Sequence, residues 1–255
     1  MRAIQDPVRP HLVWLRPAMS EPTRRPSLTD LPFFRGADAA ALAKVAAACR
    51  WRMVEPGQVV VDDDEPSTDI FFVAAGAVRV QLRAASGREV LLNEFGPGEF
   101  FGELSAIDGA PRAANVTAAA RSRLCIIPAQ AFLDFVFATP SACHALLRTL
   151  AARLRLQTER TLEREALPVR LRLFSELLRL SRPRATAPGE RVVSPPPPHH
   201  ELAARIGARR EVVSRELSEM TREGWLARDR RAIRILRVAE MQALVAAELR
   251  AAPAA

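Results

Sequence analysis

The sequence predicts a two-domain α+β chain: an N-terminal antiparallel β-roll of the jelly-roll kind, a long helix, and a C-terminal winged helix-turn-helix. Three observations carry that prediction. Six short β-type runs lie between Gln58 and Ile127, split by glycine-marked turns. After Pro140 the pattern changes period, and residues recur in steps of three and four as far as Arg164. Further on, two short helical patterns meet at Gly207, and an alternation of basic and apolar residues follows. A chain of 255 residues has room for two cores.

Residues 1–27 carry five arginines and the prolines Pro7, Pro10, Pro17, Pro22 and Pro26 without periodicity, which predicts a disordered basic tail and leaves Met19 as a second candidate start. A sensor domain is expected over 28–138. Its first part, to about Ala48, places Leu31, Phe33, Phe34, Leu42 and Val45 at spacings suited to short helices packed on the sheet. The β-type runs are Gln58–Val61, Ile70–Ala74, Ala77–Leu82, Glu89–Phe95, Ala114–Ala118 and Arg123–Ile127, with Gly57, Gly76, Gly87 and Gly98 marking turns. The acidic run Asp62-Asp63-Asp64-Glu65 reads as a solvated loop, because no further ligands converge on it.

Residues 139–166 form the long helix. Leu147, Leu150, Leu154, Gln157, Thr161 and Arg164 make a seam flanked by Leu146 and Leu162, which suits pairing with a second copy of the chain. Pro168 ends that pattern and opens another helix, so the Leu167–Pro168 step is the expected hinge. Leu171, Leu173, Phe174, Leu177, Leu178 and Leu180 give the next helix its apolar face, and a loop rich in Pro, Arg and Gly follows. The winged helix-turn-helix is expected over 167–240 and a tail over 241–255.

Charge is uneven. Residues 28–138 hold 10 basic and 14 acidic side chains, whereas 167–240 hold 16 basic and 9 acidic ones. A mildly acidic half joined to a strongly basic one implies a sensor attached to a polyanion binder. Lys44 is the only lysine, so the positive charge is almost all arginine. Cys49, Cys125 and Cys143 are far apart in apolar patterns and read as buried thiols rather than a disulfide or metal framework. His199 and His200 follow four prolines and read as a helix start, since no acidic or cysteine partner stands at ligand spacing. No metal, no resident cofactor and no catalytic constellation is expected. With no run of 18 apolar residues and nothing resembling a signal peptide, a cytoplasmic protein without a membrane partner is expected.

Residues 100–114, from Phe100 to Ala114, hold the most informative chemistry. Arg112 offers a planar fork of donors matched to two phosphate oxygens. Glu103 can accept from a sugar hydroxyl. Backbone N–H groups of the turn Gly102-Glu103-Leu104-Ser105 can point at an anion, and Gly102 permits close approach. This stretch resembles the phosphate-binding cassette of cyclic-nucleotide-binding domains, the sensor module of Crp/Fnr-type bacterial regulators. The resemblance implies a cyclic nucleotide ligand and turn glycines at Gly57, Gly76, Gly98 and Gly102. It also makes the long helix a homodimer interface that reaches over the nucleotide, with Gln157 and Thr158 contacting adenine. Thr158 is the stronger of the two, because its hydroxyl both donates and accepts. Members preferring cyclic GMP tend to carry threonine after the cassette arginine; here Ala113 stands there, which implies cyclic AMP. The tight N-terminal cysteine group of iron–sulfur relatives is missing.

In the basic half, Glu201 to Leu217 read as helix, glycine turn, helix, with Leu202 and Ile206 facing Val213, Leu217 and Met220. Arg210, Glu211, Ser214 and Arg215 then point outward, preceded by Arg209. Such a helix fits a major groove: Arg215 can take guanine bidentately and Glu211 can accept from cytosine. Arg210 to Arg215 resemble the Crp/Fnr recognition pattern Arg-Glu-x-Val-x-Arg. Val212 replaces the usual threonine and removes a phosphate contact, while Ser214 is similar to Fnr-like members. Residues 228–236, including Arg234, alternate as expected of a β-wing on the DNA backbone. The implied function is a homodimeric transcription regulator binding a near-palindromic operator under cyclic-nucleotide control, with RNA polymerase a further partner to test. The rivals are the same regulator answering another signal or none, and a nucleotide-regulated enzyme, for which no residues remain after both modules.

Overall fold

The computed structural model describes residues 26–63, 65–83, 89–229 and 231–251. Most of the expected N-terminal tail, the candidate start at Met19, Asp64 of the acidic run, Gly87 and the last four residues lie outside the described residues. The chain divides into two units, parting between Arg153 and Leu154.

In the first unit, Ser27 and Asp30 form a reciprocal capping box on a single 3₁₀ turn, Leu28–Asp30, and a second turn, Pro32–Phe34, follows with proline at its start. Helix α1, Ala39–Ala48, begins where the Asp38 carboxylate accepts from the N–H groups of Ala40 and Ala41. Six strands then precede a short helix: β1 (Arg50–Val54), β2 (Val59–Val61), β3 (Ile70–Ala75), β4 (Val78–Arg83), β5 (Glu89–Phe95), β6 (Phe100–Phe101) and α2 (Glu103–Asp108). Strands β7 (Asn115–Ala118) and β8 (Ser122–Ile127) lead into α3 (Ala129–Ala138) and α4 (Pro140–Ala166).

The strands form two antiparallel sheets, in orders β1-β8-β3-β6 and β2-β7-β4-β5. Their inner faces share one core containing Val54, Val61, Phe71, Val73, Val78, Phe101, Val116 and Leu124. The outer face of the first sheet is covered too. Ile70, Phe72, Phe100, Cys125 and Ile127 pack with Leu28, Leu31 and Phe34 of the 3₁₀ turns and with Phe132, Phe135 and Val136 of α3. Burial on both faces explains why Ile70–Val73 is a continuous apolar run rather than an alternating one. Each fully buried phenylalanine contributes roughly 1.5–3 kcal/mol of transfer free energy. Gly76 has a positive φ of 84°, and a Cβ there would meet Ser122 Oγ at 2.2 Å, so the β3–β4 turn requires glycine.

All six expected strands are present. Strand β1, with Arg50 and Arg52 exposed, and helix α3 were not expected. Cys49 and Cys125 also come together: both belong to the same apolar cluster, where the Cys49 thiol donates to the Ala46 carbonyl at 3.4 Å. Distant in sequence, they are neighbours in space because Arg50 pairs with Ile126 and Trp51 with Cys125. Burial, together with Cys49, raises the Cys125 thiol pKa well above its ordinary value.

In the second unit, Pro168 caps α5 (Val169–Leu180). Strands β9 (Arg182–Pro183) and β10 (Arg191–Val193) lie in the stretch expected to be loop. Then come α6 (His199–Ile206), α7 (Arg210–Arg222), β11 (Leu226–Arg228), β12 (Ile233–Ile235) and α8 (Val238–Ala251). The wing is therefore a four-stranded antiparallel sheet, β11-β12-β10-β9. Residues 241–251, expected as tail, are helical, and Met241 is fully buried in the core of this unit with Leu173, Leu177, Leu202, Val213 and Ile235. The Leu167–Pro168 step is bridged rather than free: Arg179 on α5 holds Glu163 on α4 bidentately, at 2.8 and 2.5 Å.

Candidate functional site

Two arrangements concentrate chemistry, one in each unit. In the first, β6 ends at Gly102, whose φ of 84° turns the chain into α2. A Cβ at Gly102 would stand 2.8 Å from both Arg112 Nη1 and the Asp69 carbonyl oxygen, so no other residue fits. The turn leaves the first N–H groups of α2 without helical partners. Ser105, buried, donates from its hydroxyl to the Pro111 carbonyl at 3.3 Å and ties the two ends of the segment together.

Arg112 is only 6% exposed. Its Nη1 donates to the Gly102 carbonyl at 3.2 Å, and its Nη2 to Ser67 Oγ at 2.7 Å and the Asp69 carbonyl at 2.9 Å. The guanidinium lies 5.6 Å from the Phe71 ring centroid. Its Nε is buried and meets no acceptor among the described residues. Burial lowers the Arg112 pKa, with Asp69, Glu65 and Glu103 acting against that, and an arginine remains a cation throughout. The site is thus a shielded positive charge held by neutral oxygens, together with a spare donor.

Glu103 is also buried, and its carboxylate accepts from Arg153 Nη1 at 2.7 Å. Arg153 donates to the Phe100 carbonyl as well and stacks over the Phe95 and Phe100 rings at 4.6 and 4.9 Å. The second oxygen of Glu103 takes no hydrogen bond from the described residues. Gly102, Glu103, Ser105 and Arg112 are therefore brought together. Leu104 is half exposed on the outside of α2, and Ala113 is exposed beside Arg112. Gln157 and Thr158 lie on exposed positions of α4 in the second unit, where the Thr158 hydroxyl donates to the Leu154 carbonyl at 3.0 Å. Sequence reading assigned no role to Ser67, Asp69 or Arg153. Arg153 stands among other arginines of the same helix, Arg148 and Arg155, so nothing in its spacing singles it out.

In the second unit, Gly207 (φ 66°) makes the turn between α6 and α7. Leu202, Ile206, Val213, Leu217 and Met220 are buried as expected. Arg209, Arg210, Glu211 and Arg215 are exposed along the start of α7, and Arg234 sits half-buried on β12 between Val192 and Ala227. Ser214 is half-buried because it is engaged: its Oγ lies 2.6 Å from His199 Nδ1, whose Nε2 lies 2.9 Å from Arg228 on β11. His199 opens α6 as expected, and its ring in addition meets Ser214 and Arg228. Among the described residues no group of three or more His, Cys, Asp or Glu could hold a metal ion, and no helix is long and apolar enough to cross a membrane.

Comparison with known proteins recognises a domain around each arrangement. The family profile for the cyclic nucleotide-binding domain covers residues 51–139, and that for the Crp-like helix-turn-helix domain covers 171–244. The chain is 33% identical over 176 residues to the cyclic AMP receptor protein of Thermus thermophilus, covering 68% of this chain and 77% of that one. It is 29% identical over 194 residues to the CRP-like cAMP-activated global transcriptional regulator of Mycobacterium tuberculosis, covering 76% and 87%. In fold it is similar to a CooA mutant from Carboxydothermus hydrogenoformans, with a TM-score of 0.69, 19% identity, and coverage of 79% and 89%.

Proposed function

The chain belongs to the Crp/Fnr family of transcriptional regulators, and from that premise we propose that it is a homodimer whose binding to DNA is controlled by cyclic AMP. One observation carries the ligand reading: Arg112, Gly102 and Glu103 form a single shielded cluster with an unused arginine N–H and an unused carboxylate oxygen. A cyclic phosphate would exchange for the Ser67 and carbonyl oxygens that now receive the Arg112 donors. That exchange replaces neutral acceptors with an anion, which adds direct charge attraction to bonds that the guanidinium already assists and lets the arginine fork meet two oxygens at once. The free Glu103 oxygen would accept from a ribose hydroxyl, while the hydrogen bond from Arg153 holds the carboxylate in place.

Ala113 beside Arg112 supports cyclic AMP over cyclic GMP, because a methyl group offers no acceptor to a guanine amino group. Thr158 and Gln157 are the proposed adenine contacts. The dimer reading is supported by Leu147, Leu154 and Leu162, which are large apolar side chains left half or more exposed along α4. Arg210, Glu211 and Arg215 would read bases, and Arg209 and Arg234 would anchor phosphates. The test is calorimetric titration of cyclic AMP and cyclic GMP into the purified protein. Tighter binding of cyclic AMP supports the reading, and the absence of binding by either nucleotide to folded protein overturns it.

A further inference from the structure

The hydrogen bonds around Ser214 have a direction. Arg228 Nη2 lies 2.9 Å from His199 Nε2, and arginine has donors only, so Nε2 must accept. A neutral imidazole that accepts at Nε2 carries its proton on Nδ1. Nδ1 therefore donates across 2.6 Å to Ser214 Oγ. The serine oxygen has one lone pair occupied, and its own proton has no acceptor among the described residues. Accepting a hydrogen bond polarises the O–H bond, which makes the hydroxyl a better donor and a poorer acceptor. Burial, then Arg228 and Arg210, lower the His199 pKa, which keeps the ring neutral near pH 7 and the relay intact.

Ser214 stands on α7 between Glu211 and Arg215 on the exposed side. We propose that His199 is a specificity-determining residue: through the chain Arg228–His199–Ser214 it biases the serine towards donating, so that Ser214 selects a base edge that accepts. In the major groove those edges are purine N7, guanine O6 and thymine O4, whereas the amino groups of adenine and cytosine are disfavoured. A serine without this relay rotates freely and tolerates both kinds of edge. The relay thus converts a degenerate reader into a polar one, using two residues that themselves need touch no base. The inference rests on the reading of α7 as the DNA-reading helix.

The test is selection of binding sites from random duplexes by full-length wild-type protein with saturating cyclic AMP, and by Ser214→Ala, His199→Phe, His199→Asn and the Ser214→Ala/His199→Phe pair. His199→Phe keeps a ring but has no donor, whereas His199→Asn returns an amide N–H near the Nδ1 position. The expected result is that Ser214→Ala and His199→Phe lose preference at the same position of each half-site, by about three- to tenfold as befits one hydrogen bond. The pair should lose no more than either single variant, and His199→Asn should retain the preference. If His199→Phe fails to fold, Arg228→Met, which frees the tautomer, should weaken preference at that same position. Wild-type preference in folded His199→Phe alongside its loss in Ser214→Ala overturns the proposal alone. Wild-type protein that selects no sequence overturns the DNA-reading premise and the proposal with it.

Discussion

Glu103 and Arg153, separated by 50 residues, form a 2.7 Å ion pair in which the carboxylate is almost wholly enclosed. The pair ties the cassette of the first unit to α4 at the residue where that unit ends. Removing one partner of such a pair leaves a buried charge without compensation, which typically costs about 3–5 kcal/mol. Arg153 is partly exposed, so the lower end of that range applies. Arg153→Ala should lower the stability of the first unit by about 3 kcal/mol in chemical denaturation. It should also weaken nucleotide binding, because the Glu103 carboxylate loses its orientation. Unchanged stability and affinity would remove Arg153 from the site.

Base selectivity follows from Ala113. Cyclic AMP should bind more tightly than cyclic GMP, and Ala113→Thr should narrow the gap by adding a hydroxyl within reach of the guanine amino group. Competition binding with the two nucleotides reads both effects. A wild-type preference for cyclic GMP would contradict the roles given to Ala113 and Thr158.

On DNA, Arg215 and Arg234 should separate base reading from backbone anchoring. Arg215→Ala should cost about 1–3 kcal/mol and relax preference at one position of the half-site. Arg234→Ala should weaken all sequences about equally and lower the salt slope by about one unit. Half-sites should lie about one helical turn, roughly 34 Å, apart. Operator affinities measured across a salt series distinguish the two variants.

Acid should loosen the second unit through Glu176. Burial alone would raise the pKa of this carboxyl, but Arg179, Arg160 and Arg205 outweigh it and hold the group below its ordinary value of 4.5. The unfolded chain therefore takes up the proton first as the pH falls. Stability from Glu176 is complete above the ordinary value and is lost as pH drops through the lower folded value. Glu176→Gln should flatten that loss between about pH 6 and about pH 3 in denaturant unfolding. An equally steep decline in the variant would show that other carboxylates dominate.

Much of this architecture was legible because glycine turns cut the β-roll into short runs and because the cassette is contiguous in sequence. Strand β1 was not legible: Arg50 and Arg52 lie exposed along it, so its residues give no alternating apolar signal. Strands β9 and β10 were hidden by the proline- and arginine-rich composition around them. Helix α8 buries Met241 fully but little else, which leaves too weak a stripe to distinguish it from a tail. The site divided in the same way. Gly102, Glu103 and Arg112 stand within eleven residues of one another. Ser67, Asp69 and Arg153 reach the same cluster only through the fold, and His199 meets Ser214 only because α6 and α7 share a core.

The central claim is that a nucleotide gripped by Arg112 controls binding to DNA. It is tested most directly by measuring operator affinity with and without saturating cyclic AMP, for wild type and for Arg112→Ala. Because Arg112 also satisfies the Gly102 and Asp69 carbonyls, Arg112→Ala should lose some stability, and thermal unfolding must show it folded. Its affinity for cyclic AMP should fall at least about tenfold, as expected for a lost charge-assisted bidentate contact. Cyclic AMP should change wild-type operator affinity by about tenfold or more, within the usual range of coupling between sites, and at the concentration that just saturates the wild type it should change that of Arg112→Ala less. Equal operator affinity of the wild type with and without cyclic AMP would contradict the account.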